Sequence, residues 1–326
     1  MKAALYRQTG PASEVLSVEQ LDRPEPGPGE VRVRVHVSGV NPTDWKSRSG
    51  ATTRPIAGFQ VPQHDGAGVI DAVGDGVDPG RVGERVWLML AAAGRPWGTA
   101  AEWTVLPSDQ AVPLPSSASF DLGASLGVPA LTAHRCLFAD GPIDGRTVLV
   151  AGGAGAVGHY AIELAKHAGA RVVTTVSGPE KAELARRAGA DLVVNYREPD
   201  AEQRIRDFAP RVDRVVEVAL GANLRLDLAV SGPDTAVVVY AADGEDPVLP
   251  VRACMTANVV LRFVLLYGVP RAELLRGASD VSAALAEGAL TVLPTHHYPL
   301  DRIAEAQDAV AKGAVGKVLV DIRPTA

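Results

Sequence analysis

The sequence predicts a two-domain α/β protein, a β-rich unit joined to a doubly wound parallel sheet. Three observations predict it. Short β-type runs broken by Gly/Pro turns fill the chain up to about Pro115, and beyond Ser116 apolar strands alternate with helical segments. One Gly-rich segment then links a buried strand to an apolar-striped helix. At 326 residues the chain exceeds what one ordinary core holds, so two domains are expected.

In the first region the runs VRVRVHVSGV, VIDAVG and RVGERVWLML are separated by PEPGPGE, DGVDPG and AAAGRPWG, which force reversals. Alternation puts Val31, Val33, Val35 and Val37 on one sheet face and Arg32, Arg34 and His36 on the other, the pattern of a half-buried strand. In the second region strands are expected at Thr147–Ala151, Arg171–Val176, Asp191–Asn195, Arg214–Val218, Thr235–Tyr240 and Val259–Leu266. Near the end, Ile303, Ala306 and Val310 have helical spacing, Gly313 stops that helix, and GKVLVDI supplies a strand assigned back to the first domain. The expected division is therefore 1–120 with 268–326 for the β-rich domain and 121–267 for an inserted nucleotide domain.

Composition narrows the function. Hydrophobic residues at 47% and charged residues at 21% describe a globular chain. A net charge of -6, with Lys and Arg scattered through the helices, gives no footprint for nucleic acid. Cys136 and Cys254 are the only cysteines, too few for a disulfide framework or a cysteine-rich zinc site, and they suit a reducing compartment. A cytoplasmic location is expected, with neither export nor membrane insertion.

The segment TVLVAGGAGAVGHYAIELAKHAGARVV carries the strongest motif. Gly153, Gly155 and Gly158 have the spacing that lets backbone N–H groups approach a pyrophosphate near the positive end of a helix. A ligand-free glycine turn is the competing reading. The second strand, ARVVTTVSGPEKAEL, has no Asp or Glu at its end, where an NAD enzyme holds the ribose hydroxyls. Ser177 can donate there, Lys181 lies just inside the next helix, and Tyr196 ends the third strand on the same rim. Together they suit the 2′-phosphate of NADPH.

Read in order, GVNPTDWKSRSG, VPQHDGAGVIDAVG, LGVPALTAHRCL, AGGAGAVG, GADLVVNYRE and VGKVLVDI cover nearly the whole chain. The sequence resembles the zeta-crystallin-type quinone oxidoreductases of the medium-chain dehydrogenase/reductase superfamily. The resemblance implies a GroES-like first domain, a Rossmann second domain, NADPH as cofactor, and a homodimer. It places Ala154, Gly155, Ala156 and Val157 on the pyrophosphate, and Tyr240 with Phe263, Val264 and Leu265 beside the nicotinamide. Lys317 of VGKVLVDI is counted with the cofactor-binding residues. Thr132 is implied to face the cofactor, where it could bond the carboxamide or the substrate; a buried helix threonine is the equal rival.

Zinc relatives share this architecture, and a catalytic zinc needs three protein ligands. Where they carry a ligand cysteine the chain has Asn41-Pro42-Thr43-Asp44, and GVPALTAH again lacks one. His64 matches one ligand position, but one histidine does not hold zinc. His64 reads either as a polar cleft residue or as a satisfied structural histidine, and Asp65 as a structural hydrogen-bonding residue. Without metal, an amide donor would stabilise charge developing on a carbonyl oxygen. Asn41 is the first candidate, against an Asn-Pro turn that only fixes the backbone; Asp44 accompanies it. Many relatives have Tyr where this chain has Thr52, which leaves solvent, His64 or Trp45 as proton source. The expected function is NADPH-dependent, metal-independent reduction of a quinone or α,β-unsaturated carbonyl. The rivals are an enoyl-thioester reductase of the same superfamily and a non-catalytic NADPH-binding regulator.

Overall fold

The computed structural model describes residues 1–52, 55–242 and 246–322. The chain divides into two compact units, Met1–Val128 with Val292–Ala326, and Pro129–Thr291. Both crossings fall later than the sequence places them. The reason lies in two continuous helices, Phe120–Phe138 and Arg271–Ala286, neither of which carries a composition break. Pro129, inside the first helix, marks the first crossing.

In the first unit the long strand Glu30–Gly39 is the hub. It pairs antiparallel with Asp65–Val73, with Trp103–Pro107 and with the late strand Lys317–Asp321. Val31, Val33, Val35 and Val37 are buried as their alternation requires. Arg32 departs from the expected polar face. It is buried, because Asp71 accepts from its Nε at 2.8 Å and Glu25 from its Nη1 at 2.7 Å. A charge can leave water on those terms. The helix Ile303–Ala311 buries Ile303 and Ala306, and Gly313 follows it at φ 80°.

The second unit is a six-stranded, all-parallel sheet. Its spatial order is Leu192–Asn195, Arg171–Val176, Thr147–Ala151, Val212–Glu217, Ser231–Val239 and Val260–Phe263. The direction of winding reverses between the third and fourth of these, so the crevice at their carboxyl ends is the binding position of such a sheet. Leu149, Val173, Val215 and Val237 form its dry centre with Ile205, Leu220 and Leu224 from helices. Each such side chain contributes about 1.5–3 kcal/mol on burial.

Four strands differ from their expected limits, Leu192–Asn195 and Val212–Glu217 by one or two residues and the other two by more. Ser231–Val239 starts early, through an irregular stretch in which Asp234 takes φ 63°. Val260–Phe263 ends before the apolar run does, because Val264 N turns in to Val239 O at 2.8 Å and a 3-10 turn, Leu266–Gly268, follows.

Candidate active site

In the second unit the wholly buried strand Thr147–Ala151 ends at Gly152, whose φ of 72° turns the chain sharply. Gly152 N and Gly153 N both donate to Thr175 O, and Gly155 caps the helix Ala156–His167. The first helical bond is His159 N to Gly155 O at 2.8 Å, so the N–H groups of Ala156, Val157 and Gly158 precede the ladder. Gly155, Ala156 and Val157 lie at the accessible face of the loop, while Gly153, Ala154 and Gly158 are buried. A Cβ on Gly153 would run into the Thr174 hydroxyl, and one on Gly158 into the Gly152 carbonyl. Both glycines are thus fixed by close packing, and the exposed arc between them presents donors at a positive helix end.

The helix Ala156–His167 also carries a buried polar cluster. Thr291 donates its backbone N–H to Glu163 at 3.1 Å and its hydroxyl to the same carboxyl at 2.5 Å, while His159 Nε2 lies 3.0 Å from Thr291 O. Burial pushes the Glu163 carboxyl up to about 7, against the Thr291 bonds, and holds His159 down to about 4. The 3.3 Å contact between His159 and Glu163 is therefore no pair of full charges at neutral pH.

At the next strand end, Ser177 is partly exposed and Gly178 caps the helix Pro179–Arg187, with Lys181 in its first turn. Tyr196 N donates to Val176 O at 3.2 Å, which ties the third strand end to this rim. Sequence reasoning missed Arg197. Its Nη1 donates to Ser177 O at 3.3 Å, its own N–H donates to Asn195 Oδ1 at 3.1 Å, and its guanidinium lies 5.7 Å from the Tyr196 ring centre. The available signal was an arginine directly after Asn-Tyr at a strand end.

The residues implied for the nicotinamide side separate. Val264 is buried, whereas Phe263 and Leu265 are each 70% exposed. Tyr240 N donates to Glu217 O at 3.1 Å, and burial, with Cys136 and Glu217 nearby, pushes its phenol up. Thr132 is buried on its helix.

In the first unit Asn41 caps the helix Pro42–Ser49, and its N–H donates to Asp44 Oδ2 at 2.7 Å. Its amide is held at both ends. Nδ2 donates to Asp65 Oδ2 at 2.6 Å, and Oδ1 accepts from Lys317 Nζ at 2.9 Å. Lys317 thus spends its ammonium inside this unit, 3.9 Å from Asp65. Burial pushes Asp65 up to about 6, against Lys317, Asn41 and a bond from Val128 N; burial also lowers Lys317, against Asp65 and Asp44. One amide hydrogen of Asn41 remains, its direction fixed by the other two bonds.

Asp44 and His64 also line a cavity of about 20 Å³ with Tyr6, Gln60 and Gln63. Gln63 has φ 76°, and its buried Nε2 has no partner among the described residues, although Ser38 donates to its Oε1. Nothing in a linear reading marks it. Thr52 is exposed, its hydroxyl 3.1 Å from that of Ser47.

With the geometry established, comparison places the chain. The family model for "Alcohol dehydrogenase GroES-like domain" matches residues 27–116, and that for "Zinc-binding dehydrogenase" matches residues 156–283. A quinone oxidoreductase of Rattus norvegicus is 30% identical over 302 residues, spanning 91% of this chain and 90% of that protein. The chain belongs to the quinone oxidoreductase family.

It is accordingly an oxidoreductase of the medium-chain superfamily. A mycobacterial protein solved with NADPH is 30% identical with a TM-score of 0.85, covering 98% of this chain and 99% of that one. An NAD-dependent alcohol dehydrogenase is 27% identical with a TM-score of 0.89, covering 99% and 100%. Since the fold serves a protein named for NAD as well, cofactor choice must be read from the rim residues. The zinc in one family description does not suit this donor set. Among the described residues no group of three His, Cys, Asp or Glu side chains could hold a metal ion, and the Lys317 ammonium stands beside Asp65 where a dication would be repelled. No helix among the described residues is long and apolar enough to cross a membrane.

Proposed function

We propose that this oxidoreductase uses NADPH to reduce a quinone or an α,β-unsaturated carbonyl compound without a metal. The observation that carries the reading is the rim at Ser177, where a neutral side chain stands in place of a carboxylate and Lys181, Tyr196 and Arg197 surround it. The glycine cradle fits the cofactor's pyrophosphate, since side chains at Gly153 and Gly158 would collide with the protein's own atoms. When bound, NADPH supplies a hydride from its nicotinamide ring.

The chain's own residues bind, orient and polarise. The loop from Gly153 to Gly158 offers its free N–H groups to the pyrophosphate, and Ser177, Lys181 and Tyr196 take the 2′-phosphate. We assign Tyr240, Val264 and the neighbouring Phe263 and Leu265 to the nicotinamide side, and Thr132 to its carboxamide. Asn41 donates its remaining amide hydrogen to the substrate oxygen, held in position by Asp65 and Lys317. Asp44 fixes the Asn41 backbone, and His64 lines the cavity beside it. With Thr52 in place of a phenol, solvent supplies the proton.

Following NADPH oxidation with quinones, enones and enoyl thioesters, and NADP+ reduction with simple alcohols, tests this reading, in chelator-treated protein. Turnover of quinones or enones that survives chelation is expected. Faster turnover of enoyl thioesters or alcohols, or activity restored only by added zinc, would reject it.

Two further assignments go with it. The strand Val260–Phe263 is the sheet's edge, with Val260, Phe263, Leu265 and Met255 exposed. An unpaired apolar edge of this kind can be completed by the same edge of a second copy around a two-fold axis, and we assign a homodimer to it. Both cysteines are free thiols, which supports a reducing, cytoplasmic setting.

A further inference from the structure

The rim at Ser177 holds two cations that the surrounding surface leaves uncompensated. Most cations on the neighbouring helices are paired, Lys166 with Asp191 at 2.8 Å, Arg187 with Glu183 at 3.0 Å, Arg204 with Glu198 at 2.9 Å, and Arg206 with Glu202 at 3.2 Å, while Arg171 on the strand meets the Phe208 carbonyl and ring. Lys181 and Arg197 have no carboxylate partner among the described residues. Of the acids adjacent in sequence, Glu198 is engaged by Arg204, and Glu180 is exposed in the first turn of the helix that carries Lys181.

Backbone register puts these groups together. The two strands pair in parallel with Asn195 opposite Val176, so Tyr196 and Ser177 are the next residues out on adjacent strands. Arg197 reaches back across this step to the Ser177 carbonyl, at the long distance of 3.3 Å. That contact occupies one of the five N–H donors of the guanidinium and leaves the rest of its fork open. Had position 177 been acidic, as in an NAD enzyme, the carboxylate would stand ready to pair with the arginine. Here serine leaves that charge available.

We infer that Arg197 is a specificity-determining residue that clamps the 2′-phosphate of NADPH, with Lys181 as a second point charge. The inference rests on the NADPH reading above. A planar fork meets a phosphate through two parallel bonds, which an ammonium cannot reproduce, so the arginine dominates the discrimination.

Calorimetric titration with 2′,5′-ADP and 5′-AMP tests this without turnover, because the two probes differ only in the 2′-phosphate. Wild type is expected to prefer 2′,5′-ADP. Arg197→Ala should weaken 2′,5′-ADP by roughly tenfold, the low end for a charge-assisted bond at an exposed site, and leave 5′-AMP unchanged. Arg197→Lys should recover part of the loss, and added salt should shrink it. Ser177→Asp should engage Arg197 and move the preference toward 5′-AMP. If wild type prefers 2′,5′-ADP but Arg197→Ala keeps the same ratio, or loses both probes equally, the role of Arg197 is refuted while the NADPH reading stands. If wild type shows no preference, both are withdrawn.

Discussion

At Asn41, three side chains from distant parts of the chain decide what one amide can do. Asn41 and Asp44 were legible as neighbours at an Asn-Pro turn, because turn residues announce themselves within a few positions. Asp65 was legible as a structural hydrogen-bonding residue, and the structure gives it Asn41, Val128 and Lys317. Lys317 was not legible in this role: it lies 276 residues from Asn41, and no local pattern encodes that meeting. The network also sets a cost for disturbing it. Lys317→Met should destabilise the protein by about 3–5 kcal/mol at neutral pH, since Asp65 and Asp44 would remain buried without their cation. The folded Asp65 already holds its proton more tightly than an ordinary aspartate, so below about pH 6 it can neutralise itself and the loss should shrink. Urea midpoints at pH 5 and 7.5 measure both effects; identical midpoints for variant and wild type at pH 7.5 would remove Lys317 from the network's energetics.

The helix that starts the nucleotide fold shows how far local spacing carries. Its glycine turn and its preceding strand were both legible, because each depends on contacts a few residues apart. The cluster on its buried side was not, since Thr291 lies 128 residues beyond Glu163. Glu163 gives this helix a pH signature. Its folded value of about 7 exceeds the ordinary 4.5, so the folded protein binds the proton more tightly than the unfolded chain. The stability this contributes is complete below about pH 4.5 and is lost as pH rises toward 7. Glu163→Gln cannot ionise. Relative to wild type it should gain up to about 3 kcal/mol between pH 4.5 and 7.5 and then level off. Denaturation series across that range check this; parallel profiles for the two proteins would show that Glu163 does not titrate there. The opening of Ser231–Val239 was illegible for a different reason, since Gly232, Pro233 and Asp234 read as a turn while the backbone still pairs.

Across the molecule, the change from β-type runs to alternating strands and helices made the two units legible, whereas the first limit was hidden inside the helix Phe120–Phe138 and the second lay beyond the end of Arg271–Ala286. The exposed edge strand gives a prediction at this scale. Wild type should sediment as a dimer, and Phe263→Lys should yield a folded monomer by placing charges where two identical edges would meet; a wild-type monomer at micromolar concentration would end the dimer assignment. The pairing of Glu30–Gly39 with Lys317–Asp321 has a consequence for biogenesis. All six strands of the parallel sheet are translated before Lys317, so that sheet can close while the chain is still on the ribosome. The hub strand is made earlier, yet the Val37–Gly39 end of one edge must wait unpaired until Lys317–Asp321 has been translated. The part synthesised first is the part completed last, and until then its open edge depends on whatever chaperoning the growing chain receives.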